Sequence, residues 1–248
     1  MKTAIITGGT KGIGEAIARA FVEAGRRVVI GARKDNGLAK KLGSRARFIT
    51  MDVRFEDAHI EAAKVARRWS GRLDVYINCA GFSGWKPIAQ ADEDFVDEML
   101  DTNLKGAIWG CKTAAKYLSK GGTIVNVSSL AGKRGSANNS IYCVSKFGVT
   151  GLTQSLAKEL GPKGIRVNAV CPVYVQTASL AQALKDENSP SHGKDIKSYL
   201  KKFASEQSAL KRLPKADEVA KACLFLASDQ ASAITGQSIN VDCGVLPQ

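Results

Sequence analysis

The sequence predicts an α/β fold: one doubly wound domain, a seven-stranded parallel sheet with helices on both faces. Three observations carry that expectation. Short β-branched runs recur at seven places along the 248 residues. Helical patterns lie between them, and strands alternating with helices imply parallel pairing through right-handed crossovers. No linker, repeat or low-complexity tract breaks the alternation, so residues 1–248 read as one domain, a size that doubly wound folds commonly reach as a single unit.

In chain order, "TAIIT" is the first strand candidate. The helical stretch "GIGEAIARAFVEAG" follows, with Ile13, Ile17, Ala20, Phe21 and Ala24 on one apolar face. "RVVIG", "RFITM", "LDVYIN", "TIVNVS", "IRVNAV" and "SINV" continue the series, and "ADEVAKACLFLA" is a helix before the last of them. The exceptional connection is residues 178–213, polar, carrying Pro190 and Gly193, and long for an ordinary loop. It follows the C-terminal end of a strand, where ligands bind in open α/β sheets, so a substrate lid, helical in parts, is expected there.

Composition narrows the function classes. With 44% hydrophobic and 24% charged residues and only short apolar runs, the chain reads as soluble, with no segment to span a bilayer. Met1 and Lys2 lead straight into "TAIITGG", so no signal peptide is expected and the location expected is cytoplasmic. Six cysteines without a CxxC pair, and two isolated histidines, His59 and His192, lack the closely spaced ligands of a zinc site. No metal is expected, and both histidines read as structural or surface residues. A net charge of +13 raises the question of a nucleic-acid partner, but the basic residues are dispersed among acids, the pattern of a solvated surface.

Two motifs point to chemistry. The first strand runs directly into "TGGTKGIG", Thr7 to Gly14, and then a helix. Such a turn lets backbone approach a pyrophosphate while free N–H groups and the helix dipole face it. Its place at the first crossover is that of a dinucleotide site, although glycines at 8, 12 and 14 make GxxxGxG and not the commoner GxGxxG. The second strand ends in Ala32 and Arg33, where sites that prefer NAD place a carboxylate for the ribose 2′-hydroxyl. Arg33, with Lys11 inside the glycine turn, suits a 2′-phosphate, so NADP(H) is expected over NAD(H).

The second motif is "NVSSLAGKRGSANNSIYCVSKFG", which holds Ser129, Tyr142 and Lys146. On a helix, Tyr142 and Lys146 sit one turn apart on the same face. A lysine cation ~4 Å from the phenol oxygen contributes about 4 kcal/mol at an effective dielectric of about 20, roughly three pKa units. That shift is expected to bring Tyr142 from ~10 towards neutrality, where general acid–base catalysis is most effective.

Taken with Asp52 in "TMDV", "NCAG" at 78–81, Asn103 in "DTNLKG" and the stretch Pro172–Thr177, these motifs resemble the series of the short-chain dehydrogenase/reductase family. The resemblance runs from Lys2 to "TGQSINVDCG" and so covers almost the whole chain. It implies a Rossmann-type fold, hydride transfer with a nicotinamide nucleotide, and a homo-oligomer, a tetramer or a dimer. It implies cofactor contacts from Gly8, Thr10, Lys11, Gly12, Ile13 and Gly14, then from Arg33, Asp52 and Val53. Further contacts are implied at Asn78, Ala80 and Gly81, and at Pro172, Val175 and Thr177. Ser129 is implied to hydrogen-bond the substrate carbonyl and Tyr142 to donate its proton. Lys146 would also bind the nicotinamide ribose, and Asn103 would help hold a water that relays protons to it.

Three departures from the family's pattern stand out: Cys79 for an asparagine, Val173 for a glycine beside the expected nicotinamide, and Cys243 for a glycine near the C-terminus. For the substrate, Trp85 and Tyr174 are expected to give apolar contact, and Asn138 and Asn139 hydrogen bonds. The stretch "SANNSIY" is similar to that of 3-hydroxybutyrate dehydrogenases, which carry a lysine where this chain has Asn139. Its loss argues against a small free acid and for a ketone on a polar small molecule. A 3-oxoacyl-(acyl-carrier-protein) reductase is the alternative, with Lys120 and Lys163 near that group's basic positions for an acyl carrier protein; the long lid argues against it. A dinucleotide-sensing regulator without turnover is the reading from another class, and the complete Tyr–Lys pair opposes it.

Overall fold

Seven short strands build the sheet: β1 (Thr3–Thr7), β2 (Arg27–Ala32), β3 (Ala46–Thr50), β4 (Val75–Asn78), β5 (Thr123–Val127), β6 (Arg166–Pro172) and β7 (Ser238–Val241). In this computed structural model, which describes residues 1–247, they pair in the order β3-β2-β1-β4-β5-β6-β7, every pair parallel. The chain winds outward from β1 to β3, then returns to place β4 on the other side of β1. That reversal opens a crevice at the C-terminal ends of β1 and β4, the place where doubly wound sheets bind ligands.

Strand alternation sorts side chains between two cores. Ala4 and Ile6 of β1 face a cluster with Ile17, Ala18 and Phe21 of α1 (Gly12–Glu23) and Val219, Ala220 and Cys223 of α9 (Ala216–Leu226). Ile5 faces the opposite cluster, with Ala62, Ala63 and Ala66 of α3 (Glu56–Ser70), Cys111 and Ala114 of α5 (Gly106–Tyr117), and Ala157 and Leu160 of α6 (Ser140–Leu160). A short α2 (Leu38–Leu42) follows β2. The apolar face expected on α1 is present at Ile17 and Phe21, whereas Ala24 lies past the helix end and is exposed.

Helix α4 (Glu93–Leu100) runs into α5 through a wide π turn, Asp101–Lys105. Residues 178–213 are helical in parts, as expected, with α7 (Ala178–Ala183) and α8 (Ile196–Gln207). This segment has an apolar core of its own, where Leu184, Leu200, Ala204 and Leu213 close over Trp85.

Candidate active site

The crevice is pinned by Thr7. Its hydroxyl accepts the N–H groups of Cys79 at 3.0 Å and Ala80 at 3.1 Å, tying the end of β4 to the end of β1. Gly8 follows with φ of +66° and lies so close to Ala80 that an added Cβ would stand 2.8 Å from its Cα. A side chain at Gly14 would collide with the Gly8 carbonyl, so the turn closes tightly on the start of α1. No side chain caps that helix N-terminus at Lys11. Its first-turn N–H groups are therefore left for an anion, and the residues fit a pyrophosphate.

In the glycine turn and just past β2, Lys11 and Arg33 are exposed and in no ion pair among the described residues. Asn36 donates to the Thr10 carbonyl at 2.6 Å and holds the loop after β2 against the glycine turn. Asp52 is clamped by Arg54, at 2.6 Å for the closest pair, and this hydrogen-bonded guanidinium, with Arg33 adding to it, holds the carboxyl below its ordinary range. Thr177 caps α7 by accepting from Leu180 N and faces Gly12, so the far wall meets the glycine turn. Ile13 and Val175 turn into the core behind the crevice, and Pro172 ends β6 beside Ser129.

Asn78 lies elsewhere. Its amide donates to Asn126 Oδ1 at 2.8 Å and to Cys111 Sγ at 3.4 Å, inside a buried polar network that continues from Asn126 to Thr153. Asn78 is the last residue of β4, and its side chain is taken up by this network. The crevice is lined instead by Ala80 and Gly81: an added Cβ on Gly81 would stand 2.8 Å from Asn103 Oδ1 and 3.6 Å from Lys146 Nζ.

Asn103, Ser129, Tyr142 and Lys146 are brought to this same end of the sheet. Asn103 lies in the π turn and is buried. Its side chain accepts from Phe82 N at 3.0 Å and donates to Phe82 O at 2.8 Å, with Met99 Sδ and Ser145 Oγ beyond. That amide group holds the chain at Phe82. Ser129, partly exposed after β5, caps the turn that follows it by accepting from Ala131 N and reaches Pro172 O at 3.5 Å.

Helix α6 carries Tyr142 and Lys146 one turn apart, as their spacing predicts. Lys146 is 6% exposed, donates to Val127 O at 3.0 Å, and lies 5.7 Å from the centre of the Tyr142 ring. Burial pulls its ammonium down to about 8. Burial also pushes the Tyr142 phenol up to about 12, against the hydrogen bond from Ser129 that lowers it. The expectation that Lys146 draws Tyr142 towards neutrality does not hold in the free protein. Burial is the largest cause at both groups, and the ammonium is turned to a backbone carbonyl.

The expected substrate residues separate. Trp85 is 4% exposed and belongs to the apolar core beneath residues 178–213, so it supports that segment and is no open wall. Tyr174 stacks edge-on against Phe203, and its phenol meets that of Tyr199 at 3.3 Å. Asn139 is buried; its amide donates to Ser136 Oγ at 3.0 Å, and its Oδ1 has no partner among the described residues. Asn138 donates to Asn188 O at 3.3 Å and so joins the loop before α6 to the 178–213 segment. Val173, in place of the family's glycine, packs against the cluster of Leu130, Cys171 and Val245.

Several contributors escaped the sequence reading. Thr7 has a signal, a hydroxyl between a β-branched run and a glycine turn, but Arg54, Asn126 and Tyr199 have none outside the fold. Among the described residues no group of histidine, cysteine or acidic side chains is disposed to hold a metal.

A doubly wound sheet with this glycine turn and these four residues defines a class, and the comparisons agree. The family model described as enoyl-(acyl carrier protein) reductase matches residues 8–246, and the chain belongs to the short-chain dehydrogenase/reductases, NAD(P)-dependent oxidoreductases. An uncharacterized oxidoreductase of Thermotoga maritima is 38% identical over 251 residues, 98% of this chain and 96% of that protein. The 3-oxoacyl-(acyl-carrier-protein) reductase of Chlamydia muridarum is 35% identical over 254 residues, 98% of this chain and 97% of that protein. The crystal structure of a variant actinorhodin polyketide ketoreductase with NADPH is similar with a TM-score of 0.90 at 32% identity, covering 98% of this chain and 97% of that one.

Proposed function

We propose that the protein reduces a ketone on a polar small molecule to a secondary alcohol, reversibly, and that NADP(H) is preferred over NAD(H). The observation that carries this reading is the convergence of Ser129, Tyr142 and Lys146 beside Gly81 at the mouth of the crevice. The cofactor, when bound, supplies or accepts hydride. Ser129 holds the carbonyl oxygen with its hydroxyl, whose 3.5 Å bond to Pro172 O is weak enough to be exchanged. Tyr142, protonated at neutral pH, gives that oxygen its proton, and the Lys146 ammonium stabilises the phenolate left behind.

NADP(H) is supported by Ala32, which brings no carboxylate, and by Lys11 and Arg33, both exposed and in no ion pair among the described residues. The similar ketoreductase was solved with NADPH. Residues 178–213 act as the substrate lid in this proposal, with Tyr174 and Tyr199 as its contact with the site. The protein works as a homo-oligomer, a tetramer or a dimer, in the cytoplasm, a setting that suits six free cysteines.

A carrier-linked substrate is the second reading, favoured by the carrier-protein reductase among the relatives and by the +13 charge. NADPH consumption across sugars, 3-oxoesters, diketones and carrier-linked 3-oxoacids separates the two. Turnover confined to the carrier-linked substrates would replace the first reading by the second. No turnover of any ketone would return the chain to the sensing regulator.

A further inference from the structure

His59 lies outside the chemistry described so far, yet it is buried at 0% exposure, a costly place for an imidazole. Its Nε2 is 2.9 Å from the Val53 carbonyl and its Nδ1 2.8 Å from the Tyr76 hydroxyl. A carbonyl only accepts, so Nε2 carries the hydrogen. Burial lowers the pKa of His59 and keeps it neutral, so Nδ1 accepts from the Tyr76 phenol. The tautomer is therefore set by the two partners together.

The peptide between Val53 and Arg54 is held at both ends. His59 takes its carbonyl, and its N–H, that of Arg54, donates to Asp52 Oδ1 at 3.1 Å. Val53 is pressed from a third side, since an added Cβ on Gly106 would come within 3.0 Å of its Cγ2. This peptide follows β3 at the adenosine side of the crevice, beside Arg33, and it has no regular secondary structure to fix it.

We propose that His59 is a positioning residue for the cofactor: through the Val53 carbonyl it fixes the Asp52–Arg54 turn as a ready-made edge of the adenosine pocket. The inference rests on the placing of Asp52 and Val53 at the cofactor. An isolated turn would sample other peptide orientations, and binding would then have to order it. The pair His59–Tyr76 removes that cost before the cofactor arrives.

The test is the cofactor KM against kcat in full-length His59→Leu and His59→Gln enzymes, with hydrogen exchange of residues 52–55 in the wild type with and without NADP⁺. Glutamine keeps an N–H donor within reach of Val53 O; leucine keeps only bulk. His59→Leu is expected to raise the cofactor KM about tenfold, the worth of one buried hydrogen bond, with kcat at saturation little changed. His59→Gln should restore most of the affinity. A wild-type KM in His59→Leu, or an equal loss in both variants, would overturn the proposal. If NADP⁺ gives the 52–55 turn no protection, the placing of the cofactor has failed instead. Should His59→Leu not fold, His59→Gln with near wild-type KM and wild-type exchange at 52–55 supports the role, and faster exchange with unchanged KM sinks it.

Discussion

The Lys146 ammonium stands 5.7 Å from the centre of the Tyr142 ring and hydrogen-bonds the Val127 carbonyl at 3.0 Å, held by the strand before Ser129 and not by the phenol. The lysine is thus fixed by the sheet and the tyrosine by the helix. Both side chains leave α6 one turn apart, and the bond to β5 sets the direction of the lysine.

Removing the proton donor alone tests that arrangement. Tyr142→Phe is expected to fold normally and bind cofactor with near wild-type affinity while kcat falls by about 10²–10⁴, the usual worth of a general acid. Steady-state kinetics beside a cofactor titration measures both. Half the wild-type turnover in the phenylalanine enzyme would rule Tyr142 out as the donor.

Lys146 gives a pH dependence with a definite sign. Its ammonium titrates near 8, so kcat/KM for ketone reduction should hold below that pH and decline above it as the cation is lost. Lys146→Arg should abolish the decline at whatever activity remains. Stability runs the other way. The ordinary value is 10.5, so the unfolded chain binds more protons between about 8 and 10.5, and this residue's contribution to stability rises with pH there. Below about 8 its burial cost is fully present, and Lys146→Met should raise the melting temperature at pH 7 by a few degrees while turnover is lost. A lower melting temperature would show that the cation is stabilised where it lies.

Nucleotide choice is tested at three positions. Charge-assisted hydrogen bonds contribute ~1.5–3 kcal/mol each, so Lys11 and Arg33 together should give NADPH a preference on the order of a hundredfold in kcat/KM. Replacing both with alanine should erase most of it, and Ala32→Asp should invert it. An enzyme that uses NADH as well as NADPH would return both cations to the ordinary basic surface.

Trp85→Ala tests the 178–213 segment. Emptying a buried indole site costs about 3–5 kcal/mol in a rigid core, but here the loss should fall on a satellite cluster. Faster hydrogen exchange in α8 and a higher substrate KM are expected, with the sheet unaffected. Unchanged exchange in α8 would mean that the segment does not depend on this side chain.

The sheet and its order of helices were legible because strand and helix periods differ, and the alternation of the two dictates parallel pairing. The pair Tyr142 and Lys146 was legible for a similar reason, since four residues on a helix fix a shared face. Their protonation was not, because burial is decided by what the rest of the chain lays over them. Asn78 and Trp85 show a second limit. Each sits in or beside a recognisable motif, yet one is taken up by a buried polar network and the other is covered by a segment about a hundred residues later. The hydroxyl of Thr7 and the guanidinium of Arg54 act across strands or within a turn, where linear spacing carries no sign of the partner.

The π turn at Asp101–Lys105 has a consequence for insertions and deletions. A π turn holds one more residue than an α turn, so excising one residue would let α4 and α5 merge into a regular helix with better backbone bonding. Each residue advances an α-helix by about 100°, so the same deletion would rotate everything before it relative to everything after it. Asn103 would then swing off Phe82, or α5 would lift Cys111 and Ala114 from the core. A shortened chain would gain local regularity and lose the alignment of two faces. Length at this point, more than residue identity, is what the fold cannot give up.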